Sequence, residues 1–395
     1  MTKVQFFTEE LINKEEVLNI LNSIGIDFSE TPSIDIIPVK SFDKTSFVDG
    51  ICKVYIDNKL IHKLVVEITQ TTDKDSRNTS AYQRPNKFFF AKKYLPDYKQ
   101  IMYFTDKYTS STNTSQIGLS MLSLMGVEII NAEFKPLTFE ELLVKKNEIS
   151  LKNPTNTPYT VEINNGIATI SAKLKNGNNW SDPGVGFVTI MMYLLFNIKG
   201  INKFKIINHQ MLDSKLKGTK NKFRKFVSIF NFQVLFENSD VIWTNENYQF
   251  NPSEKYYTIL EDGEKLSMIN FHNYLKQNGH TILFTNIAGC ERSKLVINSK
   301  LITFPKSMKI PDLITYKEGR LYIFEGECDY NLKNGLEQIK GFGPCEKYVL
   351  ENMDKVPTSV YTGVITDKPV DVINSDYFGY FLNDNDYLLN DGILY

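Results

Sequence analysis

The chain has little of what marks several functional classes. It holds four cysteines in 395 residues (Cys52, Cys290, Cys328 and Cys345), widely scattered and without a CxxC pair. That scarcity excludes a cysteine-based zinc module, and a disulfide framework is not expected at this length and density. Long apolar runs are also lacking. The most apolar stretch, VGFVTIMMYLLFNI over Val185–Ile198, is too short to span a bilayer and reads as a buried helix. The start, MTKVQFFTEELINKEE, turns acidic at once and does not read as a signal peptide. These absences predict a protein of the reducing cytoplasm with no membrane partner. A charge excess of either sign is missing as well: 45 Lys and Arg face 46 Asp and Glu, a net charge of −1. Taken alone, that balance argues against a nucleic-acid partner.

Aromatic residues, by contrast, are plentiful. The chain carries 27 Phe and 21 Tyr and is 42% hydrophobic, a globular composition with length for two or three domains. The pattern along the chain predicts three parts: residues 1–150, 151–255 and 256–395. In the first, helical spacing covers residues 7–25, and two β-rich runs meet at Asp57-Asn58. A helix over 79–95 contains Pro85, and a strand follows at 99–105. In the second part, Asn165-Gly166 marks a hairpin, and Asp182-Pro183 opens the apolar helix. In the third part, strands are expected at 281–286, 295–297, 313–316 and 321–327, then a helix over 334–351 and a strand at 358–365. This alternation predicts an α/β (α+β) fold with mixed sheets.

The chemistry concentrates in IPDLITYKEGRLYIFEGECDYN, residues 310–331. Glu318-Gly319 turns the chain between two strands, so Asp312 and Glu325 approach at one end of the hairpin. Strand alternation puts Glu325 and Glu327 on one face. Three converging acids are costly unless a cation sits among them. Oxygen ligands without a nearby histidine favour Mg²⁺ over Zn²⁺. The two glutamates are too close in sequence to flank a sugar, which disfavours a glycosidase.

The passage resembles the PD-(D/E)XK nuclease superfamily, in particular type II restriction endonucleases. Pro311-Asp312 matches the first half of the motif, and Glu325-Gly326-Glu327 the second, with Glu in place of Lys. Lys333 or Lys340 on the following helix is a candidate for the missing positive charge. The resemblance implies a restriction-endonuclease-like mixed sheet flanked by helices. It also implies Mg²⁺ held by Asp312 and Glu325, with Glu327 as a third catalytic acid.

Residues 46–105 repeat this layout, which predicts more than one such unit. Asp49-Gly50 precedes a strand, and the next strand reads LVVEITQ, with Glu67, Thr69 and Gln70. The resemblance makes Asp49, Glu67 and Gln70 a second site. Lys74 or Lys87 is a candidate to complete it, and an inactive DNA-clamping copy is the alternative. Arg77, Arg84 and Lys87 are expected to contact DNA.

Between the two lies KGINKFKIINHQMLDSKLKGTKNKFRK, residues 199–225, with nine Lys or Arg against Asp213 alone, a local charge of +8. Such a run suits a phosphate backbone, with Lys215, Lys217, Lys220, Lys222, Arg224 and Lys225 as contacts. The resemblance, joined to this basic run, implies a Mg²⁺-dependent, sequence-specific endonuclease for double-stranded DNA that leaves 5′-phosphate and 3′-hydroxyl ends. It would act as a two-site monomer or as a homodimer, with a cognate DNA methyltransferase in the same system. A non-catalytic DNA-binding protein on a decayed nuclease fold and a repair or mobile-element nuclease are the alternatives.

Overall fold

A computed structural model describes residues 2–41, 47–69, 80–109, 113–150, 158–176, 179–180, 182–208, 219–237, 255–287, 295–367, 378–383 and 386–389. By internal contacts the chain divides into two compact units. The first holds Met1–Thr8 and Ile12–Thr258; the second holds Glu9–Leu11 and Ile259–Tyr395. Both are mixed α/β structures with sheets flanked by helices.

The first unit opens with strand β1 (Thr2–Thr8), helix α1 (Lys14–Ser23) and strand β2 (Ser33–Ser41). The expected helix over 7–25 is thus shorter than its apolar spacing suggested. Asn13 ends the lead-in with a capping box: its side chain accepts from the Glu16 amide at 2.9 Å, and its own amide donates to the Glu16 carboxylate at 2.8 Å. Strands β3 (Gly50–Ile56) and β4 (Lys59–Thr69) form the expected hairpin. Asp57 and Asn58 turn it with φ of 49° and 61°, the left-handed pair that matches strand twist. Helix α2 (Ser80–Tyr94) contains Pro85. Strand β5 (Lys99–Thr109), helix α3 (Asn113–Leu124), strand β6 (Glu128–Glu133) and helix α4 (Phe139–Ser150) follow. Strands β7 (Thr160–Asn164), β8 (Ile167–Ala172), β9 (Lys175–Asn176) and β10 (Asn179–Trp180) lead to helix α5 (Asp182–Lys199). Then come strand β11 (Lys203–Asn208), helix α6 (Thr219–Ile229) and strands β12 (Gln233–Glu237) and β13 (Tyr257–Ile259).

The larger sheet has the order β13-β2-β1-β3-β4-β5-β6. Within it β1, β3 and β4 form an antiparallel meander, and β5 returns parallel to β4 after crossing through α2. The smaller sheet is β12-β11-β8-β7. Helix α5 explains why residues 151–255 fall in the same unit as 1–150. It is buried from Val185 to Leu195, with Phe89 of α2 stacked on Tyr193 and also against Phe226 of α6. One apolar core therefore spans both segments.

Gly50 shows how tightly this sheet is packed. A Cβ there would lie 2.1 Å from Cζ of Phe6, a ring that is itself fully enclosed. Gly50→Ala is therefore expected to destabilise the protein by about 3 kcal/mol through overpacking, read as a lower denaturant midpoint. An unchanged midpoint would contradict the packing.

The second unit begins with helix α7 (Glu264–Gln277) and strand β14 (Thr281–Thr285). Strands β15 (Leu295–Ile297), β16 (Lys300–Ile302), β17 (Leu313–Lys317) and β18 (Arg320–Glu327) follow. A short 3₁₀ turn leads to helices α8 (Leu332–Ile339) and α9 (Gly343–Glu351), then strands β19 (Ser359–Thr366), β20 (Phe378–Asn383) and β21 (Asp386–Leu389). The single helix expected over 334–351 is broken in two, with Pro344 starting the second piece. The sheet order is β14-β17-β18-β19-β20-β21. Strands β14, β17 and β18 are an antiparallel meander, and β19 runs parallel to β18.

Strand alternation decides which residues meet which layer. Leu313, Tyr322 and Phe324 pack with Met268, Phe271 and Leu275 of α7. Ile314, Leu321 and Ile323 pack with Ile339 of α8 and Cys345 and Val349 of α9. The sheet is thus covered on both faces, and the odd-numbered residues of β18 share the α8 side.

Candidate active site

At the end of the second unit's hairpin the pairing runs from Lys317↔Arg320 to Leu313↔Phe324. The next step in that register sets Asp312 opposite Glu325. Asp312 does not splay away: its Oδ2 accepts the Gly326 amide at 3.0 Å, and its own amide donates to the Phe324 carbonyl at 3.1 Å. Gly326 is fixed by packing. A Cβ there would lie 2.4 Å from Cγ of Met268, so α7 crosses the strand only over a glycine.

Glu325 and Glu327 are both buried, at 8% and 5% exposure, and their partners differ. Glu327 is held by three side-chain amides, from the residue that precedes α8 and from two positions along that helix. Asn331 donates to Oε2 at 2.8 Å, and Asn334 and Gln338 donate to Oε1 at 2.7 and 3.0 Å. Gly335 lets the helix come this close, since a Cβ there would meet Cγ of Glu327 at 2.8 Å. Glu325 has no such support: its Oε2 is buried without a hydrogen-bond partner. Burial pushes its carboxyl up to about 9, with the charges of Asp312 and Glu327 adding to the effect. Burial also raises Asp312, to about 6, against the pull of the Gly326 amide.

A fourth acid was not anticipated. Glu264, in the first turn of α7, is raised by burial and then by Asp312, Glu327 and Asp367. Its sequence signal is weak, an acid in the first turn of an ordinary helix. The three amides carry a better one, because positions 331, 334 and 338 lie on one helical face. Lys340 pairs instead with Glu337 at 2.6 Å, and Lys333 is exposed. Among the described residues no cation forms an ion pair with Asp312, Glu325 or Glu327. Among the described residues no group of three or more His, Cys, Asp or Glu side chains is placed to hold a metal ion. The cluster is a set of neighbouring like charges with one orphaned buried oxygen. A hard divalent cation matches that donor set.

The first unit repeats the frame. Gly50 pairs with Val66, which sets Asp49 opposite Glu67 in the same register. Asp49 Oδ2 accepts the Ile68 amide at 2.7 Å. Here the helix after the hairpin contributes cations. Lys87 Nζ lies 2.7 and 2.9 Å from the two oxygens of Glu67 and 3.4 Å from Asp49. Arg84 Nη1 is 3.6 Å from Glu67 and 3.4 Å from the Ile68 carbonyl. Burial and Asp49 raise Glu67 to about 7 against the pull of Lys87 and Arg84. The two carboxylates outweigh burial at Lys87 and leave its ammonium above the usual lysine value. Thr69, two residues beyond Glu67, is buried.

The expected DNA contacts fall into three groups. Arg84 and Lys87 direct their charge at this carboxylate pair. Arg77, Lys215 and Lys217 lie outside the described residues, as does the side chain of Lys220; so do Gln70 and Lys74, candidates for the second site and not for DNA contact. Of the rest, Lys222 is exposed and Arg224 is half-buried. Lys225 departs from the expected surface role: it is buried, with its ammonium 5.8 Å from the Phe90 ring centroid. Amphipathic placement on α6 explains this, because Lys225 falls beside Phe226 on the core side. No helix among the described residues is long and apolar enough to cross a membrane. Comparison with protein-family models, curated proteins and solved structures gives no match for this chain.

Proposed function

We propose that the second unit is a divalent-cation-dependent nuclease of the PD-(D/E)XK type, acting as a sequence-specific type II restriction endonuclease on double-stranded DNA. The observation that carries this reading is the orphaned, buried Oε2 of Glu325 beside Asp312 at the open end of an antiparallel hairpin. A carboxylate so placed is unfavourable in the bare protein and is relieved by a cation. The order of elements supports the same reading: a helix, a three-strand meander, helices, and a strand parallel to the last of the meander.

Asp312 and Glu325 are the residues that would hold Mg²⁺. When bound, the ion supplies charge stabilisation at the phosphate and a more acidic water. Glu327, fixed by Asn331, Asn334 and Gln338, keeps its side of the cluster in one orientation. It is a positioning residue for Glu325 and for the water that attacks phosphorus. Hydrolysis leaves 5′-phosphate and 3′-hydroxyl ends. The exposed members of the basic segment, Lys199, Lys203 and Lys222, suit phosphate contact.

The test is incubation with sequenced plasmid DNA in Mg²⁺ and in EDTA, followed by mapping of the ends. Discrete fragments with fixed termini are expected in Mg²⁺ and intact plasmid in EDTA. Plasmid left whole in Mg²⁺ and in Mn²⁺ overturns the reading. Bound but uncut DNA would instead mark a binding module on the same fold.

A further inference from the structure

We infer that the first unit carries a second hydrolytic centre, built on Asp49, Glu67 and Lys87, which cuts the DNA strand opposite the one cut by the second unit. This inference rests on the nuclease reading above. It starts from a repeated geometry that a chance pair of acids would not reproduce. In each unit an aspartate stands one residue before a strand and opposite a buried glutamate on the next strand. In each, the aspartate Oδ2 takes the amide of the residue after that glutamate, at 2.7 Å from Ile68 and 3.0 Å from Gly326. In each, the glutamate's strand runs parallel to a strand reached through a helix, and that helix sends donors back to the acid-bearing end.

The two copies differ in the charge the helix supplies. In the second unit neutral amides hold Glu327, two residues past Glu325, whose Oε2 has no hydrogen-bond partner, whereas in the first the ammonium of Lys87 bridges Glu67 and Asp49 themselves. A buried ion pair kept only for stability is replaceable by apolar side chains at little cost. This one is also open on one side. Glu67 is enclosed at 3% side-chain exposure, but Asp49 and Lys87 retain 18% and 23%, so a phosphate can reach them. Two carboxylates to bind a cation and an ammonium to meet a phosphate's charge form a complete set for phosphodiester hydrolysis.

The reaction is the same in both centres. The oxygen of one water bonds to phosphorus, and the bond from phosphorus to the 3′ oxygen breaks. The water loses one proton and the departing 3′ oxygen gains one, so one water is consumed per strand. Two centres in one chain then cut a duplex without a second copy of the chain.

The test uses the full chain, Mg²⁺ and a supercoiled plasmid that the intact protein linearises. Glu67→Gln and Glu325→Gln are each expected to give nicked circles, with the nicks on opposite strands, and the double variant to leave the plasmid supercoiled. Asp49→Asn repeats the first arm with a different side chain in case Glu67→Gln fails to fold. Calorimetric titration with Ca²⁺ without DNA gives a readout apart from activity, since each single variant should lose part of the binding and the double variant most of it. Linearisation by Glu67→Gln and Asp49→Asn at the intact rate overturns the inference. So does loss of both cuts in one single variant whose thermal melting is unchanged. Failure of the intact chain to cut at all would bring down the nuclease reading itself, a different result.

Discussion

Glu325→Gln is expected to raise the stability of the metal-free protein while lowering the rate of cutting at the second unit's centre, and so of linearisation, by about 10³-fold. Both effects come from one oxygen. In the folded chain Glu325 is raised to about 9 by burial and by its acidic neighbours, whereas in the unfolded chain it ionises near its ordinary value of 4.5. Below the unfolded value both states hold the proton, and the group costs nothing. Between the two values the folded state keeps a proton that the unfolded state releases, so metal-free stability falls as pH rises, and it levels off above the folded value. Glutamine removes that penalty. At pH 8 the gain should be about 2 kcal/mol, or about 5 °C in melting temperature, and it should shrink towards pH 5. A divalent cation should stabilise the parent protein and close the gap, because it binds the ionised form and releases the proton. The loss of rate follows from removing a charge that holds the cation at the phosphate. A variant that melts lower than the parent at pH 8 without metal would contradict the orphaned carboxylate.

Lys87→Met is expected to have the opposite sign. It leaves Glu67 and Asp49 facing each other in a site that Lys87 now bridges at 2.7 to 3.4 Å. Breaking a buried pair on one side costs about 3–5 kcal/mol where the remaining charge stays ionised. Glu67 already sits near 7 with Lys87 in place, and without the ammonium it rises further. The destabilisation should therefore be large at pH 8 and much smaller by pH 5, where Glu67 holds its proton in the folded parent and the folded variant alike and the unfolded state is common to both. Urea unfolding at the two pH values measures this directly. The double variant Glu67→Gln with Lys87→Met should be more stable at pH 8 than Lys87→Met alone, since it removes the stranded charge. Equal stability of Lys87→Met and the parent at pH 8 would show that the bridge does not form in solution.

Much of the candidate site was legible in the chain because it depends on short-range order. The turn residues Glu318-Gly319 set the register that puts Asp312 opposite Glu325, whereas in the first hairpin the turn at Asp57-Asn58 needs a bulge between Val54 and Tyr55, which shifts the pairing by one residue, to bring Asp49 opposite Glu67. Strand alternation likewise put Glu325 and Glu327 on one side. What escaped was carried by helices that reach the site from elsewhere in sequence. Glu264 comes from α7, 48 residues before Asp312. The amides of Asn331, Asn334 and Gln338 look in sequence like any polar helix surface. Lys87 was one of several cations after β4, and only its reach from α2 distinguishes it.

The boundary expected near residue 150 shows the same limit for the fold. Its polar, proline-containing stretch resembles a linker, yet α5 and α2 share an apolar core across it. The basic segment is similar, because its charge is plain in sequence and the inward turn of Lys225 is not.

The sequence by itself determined the two hairpins and the chemical character of the acids, because turn residues and period-two alternation act over a few residues; the strand at Thr2–Thr8, the break between α8 and α9 and the bulge that sets Asp49 against Glu67 were not legible in it. Only the tertiary structure decided which carboxylate is supported and which is orphaned, and which site carries its own ammonium. Those outcomes depend on helices that pack over the strand ends and on burial, which makes a missing partner costly. The same holds for the net charge of −1. It averages a pair of acids bridged by Lys87, an acidic cluster without a described cation, and a basic run between them.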